Sequence, residues 1–365
     1  MKRLVLLGGG HAHLFVLEAF ARQRPDAGIR LITPDTLTPY SGMLPGVLAG
    51  HYRPRQACID LRPLADRAGC QLTLDSAISI DSARRQIRLA GGEMIDYDLL
   101  SMDTGSTPRR PDVPGAAEHA QAVKPIADLL ARCADAVPRA IAVLGAGAAG
   151  VEVAMALHHR WPAVRCTLVE RGTAPLGGLG ARLQRSVGAE LARQQIDVVT
   201  GAEVARIDGD TVHLADGRTI ASDFTVLATG AAAPAWLRDS GLALDALGFI
   251  EVGATLQSTS HAEVFAAGDV ATLSASPRPK SGVYAVRAGP PLAANIARML
   301  AGQPPLDWHA QRHALMLLAC GRRHAIATRG GWLLKGDWVW RWKDAIDRGF
   351  VRRFDPQADI DAGVR

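Results

Sequence analysis

Gly145-Ala146-Gly147-Ala148-Ala149-Gly150 forms a complete G-x-G-x-x-G directly after the apolar run Ala140 to Leu144 and ahead of the helical pattern Val151 to His158. The chemistry of that spacing is capture of a dinucleotide diphosphate. The first glycine makes the tight turn, the second lets the backbone approach the phosphates, and the third lets helix and strand pack closely. The phosphates then meet the free N–H groups and the positive dipole end of the helix. Glu170 closes the next strand, where a carboxylate accepts hydrogen bonds from the adenosine ribose hydroxyls and disfavours a 2′-phosphate. NADH is therefore expected ahead of NADPH, although Arg171 alongside pulls the other way. A glycine-rich turn with no ligand is the competing reading, and the strand-glycine-helix-strand order speaks against it.

A second cluster, Gly8-Gly9-Gly10-His11-Ala12-His13, follows the apolar run Leu4 to Leu7. It departs from the pattern twice. His13 stands at the third glycine position, where its bulk is expected to push helix and strand slightly apart. Thr33 rather than an acid ends the next strand, so ribose anchoring falls to Thr33, to Asp35 or to backbone. His11 and His13 have no further ligands nearby in sequence, and no metal site is expected. The segments Lys2 to Thr33 and Arg139 to Glu170 share one grammar, which marks an internal duplication of a βαβ unit.

Other elements must position these turns. Val264-Phe-Ala-Ala-Gly268-Asp269 is a short apolar strand ending in Gly-Asp, where the Asp can accept a hydrogen bond from a ribityl hydroxyl. Lys280 to Arg287 follows as a turn, then an apolar helix-like run from Pro291 to Leu300. The strands Leu99 to Gly105 and Phe224 to Gly230 both end in Thr-Gly, and Ala77 to Leu89 and Val204 to Ile220 alternate like antiparallel ribbons, the latter with Asp208-Gly209 and Asp216-Gly217 turns. Proline and glycine accumulate at Thr107 to Pro111, Ala231 to Pro234 and Gln303 to Pro305. These breaks divide the chain into a first nucleotide domain (1–110 resumed at 235–302), a second inserted within it (111–234) and a C-terminal segment (303–365).

At 365 residues, 48% hydrophobic and 21% charged, the chain is long enough for several cores. No stretch suits an export signal or a spanning helix, and five scattered cysteines (Cys58, Cys70, Cys133, Cys166, Cys320) without Cys-x-x-Cys spacing fit reduced thiols in the cytoplasm. The net charge of +5 is ordinary for solubility and calls for no nucleic-acid partner.

Taken in order, the two glycine clusters, the two Thr-Gly strands and the Gly268-Asp269 strand resemble the FAD-dependent pyridine nucleotide-disulfide oxidoreductase superfamily over nearly the whole chain. The absent redox cysteine pair and the segment Thr38-Pro-Tyr-Ser-Gly-Met-Leu-Pro45 resemble its type II NADH dehydrogenase branch. Gly-Gly-Gly-His-Ala-His, Pro-Tyr-Ser-Gly-Met-Leu-Pro-Gly and Pro-Lys-Ser-Gly-Val-Tyr-Ala-Val-Arg are similar to a subgroup found fused ahead of selenide, water dikinase. The resemblance implies an α/β fold, with two Rossmann-like FAD/NAD(P)-binding domains of three-layer ββα form and a small C-terminal α+β appendage. It implies FAD contacts at Gly8, Gly10, His11, Ala12, Thr33, Asp35, Pro45, Ala77, Thr104, Gly105, Gly268, Asp269, Tyr284 and Ala285, and NAD(H) contacts at Gly145, Gly147, Gly150, Glu170 and Gly230. Glu152 matches a glutamate close to nicotinamide and flavin, though an exposed first-turn glutamate favoured by the helix dipole explains it nearly as well.

Hydride chemistry belongs to such cofactors; the protein must stack the rings and stabilise charge on the reduced flavin. With no cysteine pair, discharge to a diffusible acceptor is expected, quinone first by family analogy. The glutamine-rich stretch usual in quinone-reducing relatives is replaced here by Val286-Arg287-Ala288-Gly289. Lys280 and Arg287 could serve the flavin or an anionic substrate, and surface solvation explains either equally well. A flavin- and NADH-binding sensor, and a redox enzyme of selenium or sulfur metabolism, stand as alternatives. Trp332, Trp338, Trp340 and Trp342 interleave with Lys335, Arg341, Lys343, Arg348, Arg352 and Arg353, a mixture suited to peripheral membrane contact at the inner face of the cytoplasmic membrane. Val339, Trp342, Ile346 and Phe350 also make one helical face, and docking on the body of the protein is favoured. A homodimer is compatible with this reading.

Overall fold

Leu4 to Leu7 are buried on both faces, as a strand flanked by parallel neighbours requires. The computed structural model describes residues 1–109 and 112–358; Arg110 and Pro111 of the proline-rich exit lie outside them. Strand Lys2–Leu7 sits third in a five-stranded parallel sheet, in the order Val264–Ala266, Leu99–Met102, Lys2–Leu7, Ala27–Thr33, Cys70–Leu74. A second five-stranded parallel sheet repeats the plan as Ala120–Ala122, Phe224–Leu227, Ala140–Leu144, Arg165–Val169, Asp197–Val199. In each, the chain crosses to the other side of its first strand, and the glycine cluster opens at that switch point, where open α/β sheets bind ligands.

Each domain carries a three-stranded antiparallel ribbon: Ala77–Asp81, Gln86–Leu89 and Met94–Asp96 in the first, Val204–Ile207, Thr211–Leu214 and Thr219–Ala221 in the second. Thr107–Pro108 pairs antiparallel with Ala231–Ala232, so the paths into and out of the second domain run side by side.

Helix His11–Arg22 is buried over most of its circumference, and helix Gly282–Leu300 packs against it. The approach is close: a Cβ on Gly289 would fall 2.2 Å from the Phe15 ring. This corrects the expected start of that helix at Pro291. Its first turn is at Gly282, and it runs through Pro290 and Pro291. Each proline removes one intrahelical hydrogen bond; Ala288, Gly289, Leu292 and Ala293, buried on either side, hold the helix continuous.

The C-terminal part is a hairpin sheet of Met316–Ala319, Ala325–Arg329 and Trp332–Gly336 followed by helix Asp337–Phe354. The hairpin leans on the second domain, where a Cβ on Gly321 would lie 2.2 Å from the Met155 carbonyl oxygen, and the helix packs on the first. Among the described residues no helix is long and apolar enough to cross a membrane.

Candidate active site

At the first switch point Gly8 has φ +96°, and a Cβ there would come within 2.5 Å of the Asp103 carbonyl oxygen and 2.6 Å of Thr104 Cα. Only glycine lets the turn close on that strand end. Thr104 Oγ1 is buried with no hydrogen-bond partner, and Gly105, at φ +71°, faces open space. An orphaned hydroxyl beside an open glycine cradle at the mouth of helix His11–Arg22 fits the diphosphate and ribityl chain of FAD.

His13 is fully buried, and helix His11–Arg22 stands farther off strand Lys2–Leu7 than helix Ala148–Arg160 stands off strand Ala140–Leu144, as its bulk predicts. Its Nδ1 donates to the Gly8 carbonyl at 2.6 Å, which fixes the tautomer, and Nε2 accepts from Ser101 Oγ at 2.8 Å. Burial pushes its pKa down to about 4, so the ring is neutral. Thr33 is buried and donates to the Asp35 carbonyl at 3.1 Å, while exposed Asp35 accepts from the Leu37 amide. His11 lies between Tyr40 and Phe350, at ring separations of 5.3 and 5.9 Å, and burial lowers its pKa to about 4 as well. A Cβ on Gly268 would lie 3.5 Å from Ala285 Cβ, and Tyr284 precedes Ala285 in the first turn of helix Gly282–Leu300. Ala77 begins the first ribbon, half-buried on the core, and Pro45 is buried in helix Leu44–Leu48.

Asp269 pairs with Lys124 Nζ at 2.9 Å. Lys124, contributed by the second domain, carries no sequence signal because it belongs to no fingerprint. Lys280 is held within its own loop. Its Nζ donates to the Ala271 carbonyl at 2.5 Å and to Thr272 Oγ1 at 2.8 Å and sits 3.9 Å from the centre of the Phe249 ring. That ammonium braces its own loop, and burial lowers its pKa to about 8.

At the second switch point Gly145 has φ +101° and would meet the Ala228 carbonyl oxygen at 2.5 Å, while Gly147 and Gly230 face open space. Glu170 accepts from the Ala146 amide at 2.7 Å and from the Gly172 amide at 2.7 Å, so this carboxylate fixes the fingerprint loop.

Three parts of the chain converge between the two switch points. Glu152, from helix Ala148–Arg160, is not an exposed first-turn residue: it is half-buried, with Oε1 accepting from the Ala319 amide at 2.8 Å. Burial pushes its pKa up to about 7, against the pull of Lys343. Lys343 Nζ donates to the Gly42 carbonyl and to Asp347 Oδ2, each at 2.6 Å. Tyr40 bonds to Asp347 and stacks on Phe350, with ring centres 4.6 Å apart. Tyr52 donates to Asp344 at 2.6 Å. The segment Pro39 to Pro45 is thereby clamped by the C-terminal helix.

That helix docks on the body of the protein, but turned from the expected face. Val339, Trp340, Lys343, Asp347, Val351 and Phe354 are buried, and Ile346 is exposed. Lys343 and Asp347 neutralise each other one turn apart, so they occupy an inner stripe that a count of apolar positions leaves out.

Glu152 makes stability depend on pH in a definite direction. Unfolded, its carboxyl ionises near 4.5; folded, near 7. The folded form therefore loses stability as pH rises between those values, and the deficit persists above them. Glu152→Gln should melt above the parent protein at pH 8 and level with it at pH 4.5. Melting curves that differ equally at both pH values would reject this assignment.

Residues 2–289 match the family model described as pyridine nucleotide-disulphide oxidoreductase. The NADH dehydrogenase-like protein YutJ of Bacillus subtilis is 26% identical over 290 residues, 76% of this chain and 79% of its own. The nitric oxide reductase FlRd-NAD(+) reductase of Aeromonas hydrophila is 31% identical over 284 residues, 73% of this chain and 70% of its own. Among solved structures, the sulfide:quinone oxidoreductase of Aquifex aeolicus shares the fold with a TM-score of 0.79 at 21% identity, covering 100% of this chain and 96% of that one. The water-forming NADH oxidase of Lactobacillus brevis does so at 0.79 and 20%, covering 90% and 75%. With two nucleotide turns facing one polar junction, and the family model covering both, the chain belongs to the pyridine nucleotide-disulphide oxidoreductases and is an FAD-dependent NAD(P)H oxidoreductase.

Proposed function

We propose that this protein oxidises NADH and passes the electrons to a diffusible quinone. The observation that carries the diffusible acceptor is the state of the thiols. All five cysteines are free, four are buried, and burial raises the pKa of each above the ordinary thiol value, Cys70 and Cys166 to about 12 and Cys133 to about 11. Protonated, unpaired thiols neither relay electrons as a dithiol nor attack sulfide-derived substrates. This also tells against the sulfur-chemistry alternative.

Bound FAD supplies the two-electron exchange between nicotinamide and acceptor. Gly145, Gly147 and Gly150 bind the NADH diphosphate, and Glu170 supports NADH over NADPH. Converting a quinone to its quinol consumes two electrons and two protons, one proton arriving with the NADH hydride and one from solvent. Glu152 holds such a proton near neutral pH on Oε2, because Oε1 already accepts the Ala319 amide. Lys343 fixes the Gly42 backbone beside it, so the Pro39 to Pro45 segment is held in place at this junction.

Exposed Trp332, Leu334, Trp338 and Ile346, with exposed Lys335 and Arg341, support contact with an anionic lipid surface from the cytoplasmic side. The test is anaerobic titration of the yellow protein. NADH should bleach it faster than NADPH does, and quinone in anionic vesicles should restore the colour within seconds while the protein pellets with the lipid. Bleaching that quinone does not reverse would refute the acceptor and favour a sensor; reversal without pelleting would refute only the lipid contact.

A further inference from the structure

The internal duplication supplies its own control for one residue. After strand Phe224–Leu227 the second unit reads Ala228-Thr229-Gly230, while after strand Leu99–Met102 the first reads Asp103-Thr104-Gly105. A small apolar residue is thus replaced by a carboxyl group directly beneath the first glycine turn. Asp103 is 3% exposed, and its Oδ2 accepts from the Ala12 amide at 2.7 Å and the His13 amide at 3.2 Å. Those are the N–H groups that a fingerprint helix otherwise offers to a diphosphate. Two glycines exist to admit this group: a Cβ on Gly10 would fall 2.3 Å from Asp103 Cγ, and one on Gly268 would fall 2.5 Å from Asp103 Oδ1.

The charged neighbours do not neutralise it. From helix His11–Arg22 come His11 and His13, whose rings are neutral above about pH 4, His13 being turned to Gly8 and Ser101. From the Gly268 turn comes Asp269, a second anion, and from the second domain Lys124, whose ammonium is already paired with Asp269. Helix Gly282–Leu300 presents Ala285. Burial accordingly pushes the Asp103 carboxyl up to about 7.

The geometry points to Asp103 as a positioning residue of the flavin site, holding the first helical turn from beneath and taking up a proton when the FAD diphosphate binds above it. An ionised Asp103 would put a second anion at the helix pole that the diphosphate needs, whereas a protonated one still accepts through its carbonyl oxygen. By linkage, the FAD dissociation constant is flat below pH 7 and rises toward a limit of tenfold per pH unit above it, and FAD binding at pH 8 draws protons from solution.

This inference rests on FAD occupying the first switch point, and one experiment separates the two. FAD is titrated into flavin-free protein at pH 6, 7, 8 and 9 by quenching of its fluorescence, with an indicator dye reporting proton uptake at pH 8. Absence of binding by the parent protein at pH 6 would refute the site itself. Given binding, the expected result is a dissociation constant at least tenfold weaker at pH 9 than at pH 7 for the parent protein, a flat profile for Asp103→Asn, and loss of the proton uptake in that variant. Asp103→Ala, which copies the second unit, should bind more weakly at pH 6 yet be equally flat, and it serves if the asparagine variant fails to fold. A flat profile in the parent protein, or an unchanged slope in the variants, overturns the inference.

Discussion

Gly150→Ala should leave the protein yellow and nearly blind to NADH. A Cβ at that position would lie 1.8 Å from the Gly145 carbonyl oxygen and 3.1 Å from Ala228 Cβ, and the nearer obstacle is backbone that cannot swing aside. Helix Ala148–Arg160 must lift off strand Ala140–Leu144, at a cost of about 1–3 kcal/mol for overpacking of this kind. The same displacement carries the loop at Gly147 and the Ala146 amide held by Glu170 away from the diphosphate. Each 1.4 kcal/mol is about tenfold in binding, so the NADH concentration for half-maximal bleaching should rise about ten- to a hundredfold while flavin content, set in the other domain, stays normal. Gly147→Ala is the companion measurement. Nothing lies within 4 Å of a Cβ there, so the melting temperature should hold while NADH affinity falls, because only bound phosphate would meet the new methyl. Normal NADH affinity in both variants would mean that the nucleotide binds elsewhere.

Lys343→Met should loosen the C-terminal helix where it covers the Tyr40 segment. Lys343 and Asp347 are each more than nine-tenths buried, and removing the ammonium leaves a buried carboxylate facing Tyr40 and a Gly42 carbonyl without its donor. Breaking one side of a buried ion pair costs about 3–5 kcal/mol. The apolar anchors Val339, Val351 and Phe354 contribute about 1.5–3 kcal/mol each, so the helix should fray over the Tyr40 segment while the domains stay folded. The expected readings are a lower melting temperature, proteolytic sensitivity confined to residues after Gly336, and loss of acceptor reduction with NADH bleaching retained. Replacing both partners, Lys343→Met with Asp347→Leu, should recover most of the melting temperature but not the acceptor rate. If the single variant kept full acceptor turnover, the junction would have no part in the second half of the reaction.

The two parallel sheets and the glycine turns were legible because each rests on local constraints: apolar runs, turn glycines and a repeated order that the chain writes twice. Glu170 was legible for the same reason, its position being fixed by the end of a strand. What could not be read was made by contact across long sequence separations. Asp103 precedes a Thr-Gly that drew attention for its own sake, and nothing local says that its carboxyl reaches under Ala12 and His13. Lys343 stood only among the basic residues interleaved with the tryptophans and Asp347 drew no attention, since apolar periodicity leaves charges outside the buried face of a helix. Nor does anything local say that Lys280, near the Gly268 turn, is held by the Ala271 carbonyl and the Phe249 ring. The bulk of His13 was legible, but not that its ring would tie the Gly8 turn to Ser101 through hydrogen bonds.

The short ladder joining Thr107–Pro108 to Ala231–Ala232 has a practical corollary. Because the ends of the inserted domain emerge as neighbours, the lobe is a cassette plugged into its host through one socket. A homologous lobe with a different dinucleotide preference could be exchanged at that socket without rerouting any strand of the host sheet, and coenzyme choice could change in evolution independently of flavin chemistry.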